Sequence, residues 1–398
     1  MKVLYLGATW PQPWITAAGL RTVDLIKALK SLNYSIDFFS IKKPNPFQTQ
    51  AIKVLDVNHS YMPLNDEKQF KSLTSSPNIC IFETSRLEEM FSHMLYKYYP
   101  NCFRILDTQD LHCLRLQRKA ALLSNSTLEQ VKNLQLDFHD ELTCREFAGI
   151  LRSHTTILTS THEEKIVKNL FPGAKTVLLP FMYNNVEIKK HRKKYSGTQG
   201  RKNFVWIGNF MHEPNVDALE FTLKHIWPKV YAKTRAELHI FGGHCPREDK
   251  YQGPGVFVKG TMKSLKELAE YRCLLAYIRF GAGIKGKVAD SFYYGLPVIT
   301  TNLGAEGIDP FPGFIEDDPD RFVNLASDLY EKNEIFQYQQ SAFDLLESKF
   351  SMDVNKIILK EHLEGLEDHP LQHILFGETL RSTVYFSKYI EMKNNRSV

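Results

Sequence analysis

Short apolar runs of strand length alternate along this chain with stretches whose apolar residues recur at helical spacing. That alternation is what parallel sheets covered by helices on both faces look like in sequence. A parallel strand cannot be reached through a tight turn; it needs a crossover of a dozen or more residues, usually a helix. In the first half the strand-like runs are Lys2 to Leu6, Ser35 to Ser40, Ile79 to Phe82 and Phe103 to Leu106. Between the first two, Leu20 to Leu29 repeats apolar residues at i, i+3 and i+4, as a crossover helix does. A second series has strands over Phe204 to Ile207, Glu237 to Phe241, Val256 to Val258, Leu274 to Phe280 and Val298 to Thr301. Its helices are expected over Val216 to Tyr231, Leu265 to Tyr271 and Lys287 to Tyr294. The expectation is an α/β protein of two Rossmann-like, doubly wound domains facing each other across a cleft.

Between Asn184 and Asn203 the apolar pattern fades into Lys189, Lys190, His191, Arg192, Lys193 and Lys194, followed by Ser196-Gly197-Thr198-Gln199-Gly200. This stretch reads as a basic, solvated interdomain linker, with an anion-binding patch as the alternative. It divides the chain into a first domain at 1–184, a linker at 185–203, a second domain at 204–350 and a helical segment at 351–398, for which a return to the first domain is one course. Asp318-Pro319-Asp320 has the spacing of a metal-binding pair, but an Asp and a Pro at the head of a helical pattern read as a cap.

The 398 residues suffice for two or three buried cores, and 50 basic against 45 acidic residues leave +5, too small a surplus to suggest nucleic-acid binding. Six scattered cysteines without a CxxC pair suit a reducing compartment. Met1 to Gly7 holds too few apolar residues for a signal peptide, and nowhere do 18 apolar residues run together. The expected location is the cytoplasm.

Chemistry concentrates in Tyr277-Ile278-Arg279-Phe280-Gly281-Ala282-Gly283-Ile284-Lys285-Gly286-Lys287-Val288-Ala289-Asp290, a strand running through a glycine-rich loop into a helix. A helix start offers unpaired amides and the positive end of a dipole, and glycines let a phosphate approach. Lys285 and Lys287 add charge at that point. Gly281, Gly283 and Gly286 also match GxGxxG, but a dinucleotide site wants an acid at the end of the next strand. That strand closes with Thr300-Thr301-Asn302, and the nearest acid, Glu306, lies past another glycine. An NAD(P)-dependent oxidoreductase is therefore a secondary reading.

The run from Gly281 to Gly307, with Asp290, Gly-Leu-Pro-Val-Ile-Thr-Thr at 295–301 and Gly-Ala-Glu-Gly at 304–307, resembles the donor-site signature of glycosyltransferase family 4. Asp107-Thr108-Gln109-Asp110-Leu111-His112, Leu158 to Glu164, and Trp206-Ile207-Gly208-Asn209 through Leu219 fall in that family's order. The resemblance implies the GT-B fold, a nucleotide-diphosphate sugar as donor and retention of configuration. No cofactor is expected, and no metal, since helix amides and lysines can hold the diphosphate. It assigns Asp290 to the donor ribose. The family's first acid would fall at Ala282, and its basic pair at Asn209 and Asn215, so diphosphate neutralisation is expected of Arg279, Lys285 and Lys287.

By the same resemblance His112 lies beside the transferred sugar, with Asp107 and Asp110 capping its helix or orienting it. Gly19 would let the first domain's helix start approach the donor. The tryptophans read first as core residues; for Trp10 and Trp14, in a proline-broken loop after the first strand, the alternative is the wall of an acceptor site. The expected acceptor is a glycan, a lipid-linked molecule or a small molecule. Arg115, Arg118 and Lys119 read as a solvated helix face, with contact to an anionic membrane as the alternative. Two further readings stand beside transfer: a catalytically weak GT-B scaffold, suggested by Ala282, Asn209 and Asn215, and the oxidoreductase.

Overall fold

The computed structural model describes residues 1–366 except 48, 64–65, 74, 198–199, 247–249 and 332–334. Most of the helical segment expected at 351–398, and Thr198 and Gln199 of the expected linker, lie outside the described residues. The first domain is a sheet of seven strands: β1 (Lys2–Gly7), β2 (Ser35–Ser40), β3 (Asn58–Tyr61), β4 (Ile79–Glu83), β5 (Phe103–Asp107), β6 (Thr155–Leu158) and β7 (Thr176–Leu178). They lie in the order β3-β2-β1-β4-β5-β6-β7. The second domain has β8 (Lys202–Ile207), β9 (Leu238–Phe241), β10 (Val256–Gly260), β11 (Tyr271–Ala276), β12 (Val298–Thr300) and β13 (Phe314–Ile315), in the order β10-β9-β8-β11-β12-β13. Every strand pairing is parallel.

Both faces of each sheet are covered, which is why the strands read as unbroken apolar runs. In β1, Leu4 and Leu6 join Phe82, Leu106 and Leu158 on one face, while Val3 and Tyr5 join Ile81, Ile105 and Ile157 on the other. In the second domain Val205, Leu274 and Val298 pack opposite to Phe204, Trp206, Leu275 and Ile299. The strand expected over Leu274 to Phe280 is shifted: β11 is Tyr271–Ala276, and the chain has left the sheet by Tyr277. Among the described residues no helix is long and apolar enough to cross a membrane.

The stretch expected as linker is largely a helix, Asn185–Tyr195. The Asn184 side chain accepts from the amides of Val186 and Glu187, and Ile188 and His191 are its buried residues. Arg192 pairs with Asp344 and Glu347 of the second domain. So few apolar residues on so basic a helix hide its periodicity. The chain crosses between domains twice, side by side: Tyr183 N donates to Phe350 O and Met352 N to Tyr183 O, both at 2.8 Å. Beyond the second crossing the helix Met352–Glu364 lies on the first domain, with Leu359 and Leu363 in its core and His362 Nε2 2.8 Å from Thr155 Oγ1.

Trp10 is a core residue and not a wall of an acceptor site. It is 1% exposed, packs on Phe38 and His59, and donates its indole N–H to Lys42 O at 2.9 Å. Trp14 is 51% exposed. Trp10→Ala is expected to cost about 3–5 kcal/mol, against about 0.5 kcal/mol or less for Trp14→Ala. Urea midpoints of the two variants check this, and equal midpoints would contradict the core assignment.

Candidate functional site

In sheets with these strand orders, the order reverses between β1 and β4 and between β8 and β11, and ligands gather beyond the carboxyl ends of the strands there. In the second domain those ends lead into the loop from Gly208 to His212 and the loop from Tyr277 to Lys285. The sequence therefore delivers its glycine-rich loop to the point where the topology opens a crevice.

Lys285 is the cap position of the helix Gly286–Tyr293, and no side chain caps that helix. Lys285 Nζ donates to Gly283 O at 2.8 Å. Lys287 Nζ donates to Asn215 Oδ1 at 2.8 Å and stands 4.9 Å above the Trp206 ring. Asn215 Nδ2 in turn donates to Asn209 O at 3.0 Å. Burial pushes the Lys287 ammonium down to about 7, and it has no ion-pair partner among the described residues. Arg279 is not gathered with the two lysines: Asp217 holds it in a two-pronged ion pair, and it lies over the Phe221 ring. Its charge is already neutralised, so it does not serve as the third free cation expected of it.

Across the crevice, His112 opens the helix His112–Leu123. Its Nε2 stands 3.1 Å from Asp110 Oδ1, and Arg115 takes the other Asp110 oxygen. Burial works against charging the His112 ring, but the hydrogen bond and charge of Asp110 outweigh it and hold the ring above its ordinary value. Asp110 thus orients the histidine instead of capping its helix. The helix amides are capped from elsewhere: Leu111 N donates to Glu163, and His112 N and Cys113 N donate to Glu146. Asp107 does neither job, because it is buried against the guanidinium of Arg21. His212, at the head of the helix Glu213–Phe221, shares the field of Asp110, Arg115, Lys285 and Lys287, and burial pushes its ring down to about 4. The sequence offered no motif that singled it out.

A dry seam joins the two sides. Arg118, with its side chain 0% exposed, donates to both oxygens of Glu306 at 2.8 Å and to Gly281 O at 2.8 Å. Arg115, Arg118 and Lys119 therefore form no basic face; each is paired, with Asp110, Glu306 and Glu213 respectively. Glycines of the donor-like loop serve this seam. A Cβ on Gly283, whose φ is +63°, would lie 3.0 Å from Asp110 Cβ, and one on Gly286 would lie 2.7 Å from Ala17 Cβ. Gly283 N donates to Glu163 Oε1 at 2.9 Å, so this amide faces the first domain and not a ligand. Gly19 is likewise a packing glycine, since its Cβ would lie 2.5 Å from Gln12 N.

Asp290 sits one helical turn beyond Lys287, near the interdomain crossing. It accepts from Tyr183 OH at 2.8 Å. Burial pushes its carboxyl up to about 7, with the Asp24 carboxylate of the first domain adding to the rise.

The family described as Glycosyl transferases group 1 matches residues 201–332. No curated protein matches the chain. Solved structures of the GT-B kind match nearly all of it. Sucrose-phosphate synthase from Thermosynechococcus elongatus is 14% identical, with a TM-score of 0.66 over 92% of this chain and 98% of that one. Anabaena Alr3699/HepE, in complex with UDP-glucose, is 12% identical, with a TM-score of 0.65 over 92% of this chain and 100% of that one. An S. aureus TarM mutant in complex with fondaparinux, alpha-GlcNAc-glycerol and UDP is 10% identical, with a TM-score of 0.65 over 92% of this chain and 100% of that one. The fold is thus of the GT-B type, two Rossmann-like domains with a helical C-terminal part.

Two outcomes follow from this geometry. Arg118→Met strands the Glu306 carboxylate in the seam and is expected to cost about 3–5 kcal/mol, and the further change Glu306→Leu to recover much of it; denaturant melts of both variants decide. For Asp290 the sign is set by its raised pKa. Between its ordinary value of 3.8 and about 7 the folded chain binds the proton that the unfolded chain releases, so stability falls as pH rises through that window. Asp290→Asn should match the parent's Tm at pH 4 and exceed it at pH 8.

Proposed function

We propose that this protein is a glycosyltransferase that moves a sugar from a nucleoside-diphosphate sugar to an acceptor with retention of configuration and without a metal ion. The observation that carries the reading is Lys287: an ammonium desolvated on an indole face, with no acid beside it among the described residues, at a helix start that no described side chain caps. A diphosphate supplies the missing negative charge, and helix-start amides supply donors to its oxygens. The match of residues 201–332 and the GT-B fold support the same class. Retention comes with the resemblance in residues 281–307. Two of the similar structures are complexes with UDP-glucose and with UDP, which makes a nucleotide sugar the donor class to test here.

In transfer, charge builds on the departing diphosphate as its bond to the anomeric carbon breaks. Lys285, Lys287 and the amides of the Gly286–Tyr293 helix take that charge in this reading, and preorganised donors act most strongly where water is excluded. His112, whose ring Asp110 biases toward its protonated form, donates a hydrogen bond from the other domain to the sugar or the leaving phosphate. Asp290 and Asn209 contribute at the nucleoside end and at the loop after β8. A second reading, a binding protein of weak catalytic power, is favoured by Ala282 standing where an acid is expected and by the pairing of Arg279 with Asp217. Nucleotide-sugar binding without transfer or hydrolysis would mark it.

Lys285→Ala with Lys287→Ala should weaken nucleoside-diphosphate binding by about 10- to 100-fold, at roughly 1–3 kcal/mol for hydrogen bonds to charged groups. His112→Ala should lower kcat more than it changes donor affinity. Because the anion needs the protonated amine, affinity should fall as pH rises through about 7 and lose that dependence in Lys287→Met. Titration calorimetry with UDP, GDP and ADP measures the affinities and their pH dependence, and turnover of a nucleotide sugar measures kcat; unchanged affinity in the double variant would remove the phosphate assignment.

A further inference from the structure

Glu163 is the third residue of the helix Thr161–Leu170, whose cap is Ser160. A glutamate at that position ordinarily turns back to its own helix start. Here it points away, 0% exposed, and its Oε1 accepts two amides that belong to different domains: Leu111 N at 2.8 Å and Gly283 N at 2.9 Å. Leu111 caps the helix that begins with His112, and Gly283 lies two residues before Lys285. One oxygen atom therefore sets the spacing between the histidine on one domain and the lysine-bearing loop on the other.

We propose that Glu163 is a positioning residue for sugar transfer, holding His112 in register with the donor loop. This rests on the reading of the crevice as a transfer site. Three charged groups face Glu163 from the elements packed on it: Asp110 ahead of the His112 helix, Lys285 on the donor loop, and Glu306 with its partner Arg118 across the seam. Its second oxygen, Oε2, has no hydrogen-bond partner among the described residues. Burial first, and Asp110 second, push its carboxyl up to about 8. A neutral acid presents Oε1 as a carbonyl, and a glutamine presents the same acceptor to the same two amides.

The test compares the full chain with Glu163→Ala and Glu163→Gln. Amide hydrogen exchange is followed in segments 109–113 and 281–287 without ligand, and kcat and donor KM are measured with the nucleotide sugar that the parent uses. Glu163→Ala is expected to speed exchange in both segments and to lower kcat by about 100-fold, with KM moving less than about fivefold, since small misplacements act on the chemical step. Glu163→Gln is expected to stay within about threefold of the parent on every readout. If the alanine variant does not fold, Glu163→Asp takes its place, because a side chain one methylene shorter reaches one amide and not both. Unchanged exchange, unchanged kcat, or a glutamine variant as impaired as the alanine one would each overturn the proposal. A parent that transfers from no donor would instead overturn the transfer reading, and the exchange data would still show whether Glu163 ties the two loops together.

Discussion

One ion pair, sealed from water between two domains, sets the geometry of everything near it. Arg118 and Glu306 are separated by 188 positions in the chain and meet in a contact exposed to 0% and 3%. Removing two such charges from water costs several kcal/mol for each ion, and only close, fully hydrogen-bonded geometry offsets it. The guanidinium accordingly commits both terminal nitrogens, to the two Glu306 oxygens, to Gly281 O and to Lys132 O, while its Nε has no hydrogen-bond partner among the described residues. Because Gly281 begins the glycine-rich loop, the path of that loop is fixed by an arginine of the opposite domain. The tight approach this requires explains why glycine occupies positions 283, 286 and 307, where a Cβ would strike Asp110, Ala17 and Ser160.

Lys287 and Asp290 show how the same low-polarity surroundings act on opposite charges. They lie three residues apart on one short helix, and burial moves both toward neutrality: the lysine down to about 7 and the aspartate up to about 7. At neutral pH each is balanced between its two protonation states, with the amide of Asn215 and the hydroxyl of Tyr183 as hydrogen-bond partners in place of counterions. A helix so furnished changes its charge readily when a charged molecule arrives.

The architecture was largely legible in sequence, since strands of parallel sheets are buried on both faces and read as plain apolar runs; β1, β2, β4, β5, β8 and β9 fall where those runs do. The position of the glycine-rich loop and its lysines was legible too, because a loop after a strand and before a helix is a local matter. What escaped was set by partners far along the chain. Arg118 looks like one more charge on a polar helix until Glu306 comes to it, and Arg279 looks free until Asp217, 62 positions away, takes it. Trp10, in a proline-broken loop, stays open in sequence between core and acceptor wall, because nothing local announces that Phe38 and His59 close over it. The basic helix Asn185–Tyr195 escaped for a different reason: Ile188 and His191 are its only buried residues, which leaves almost no apolar rhythm to read.

The two crossings between the domains lie alongside one another, Tyr183 bonded to both Phe350 and Met352. Two chain segments tied side by side bend most easily about the line on which they lie, because sliding or swivelling would tear their mutual hydrogen bonds. A paired crossing of this kind restrains sliding and swivelling of the halves more than folding about its own line. Any trajectory that brings the two faces together must then bring them to the same registration each time. A chain with a single flexible connection would have to find that registration by search.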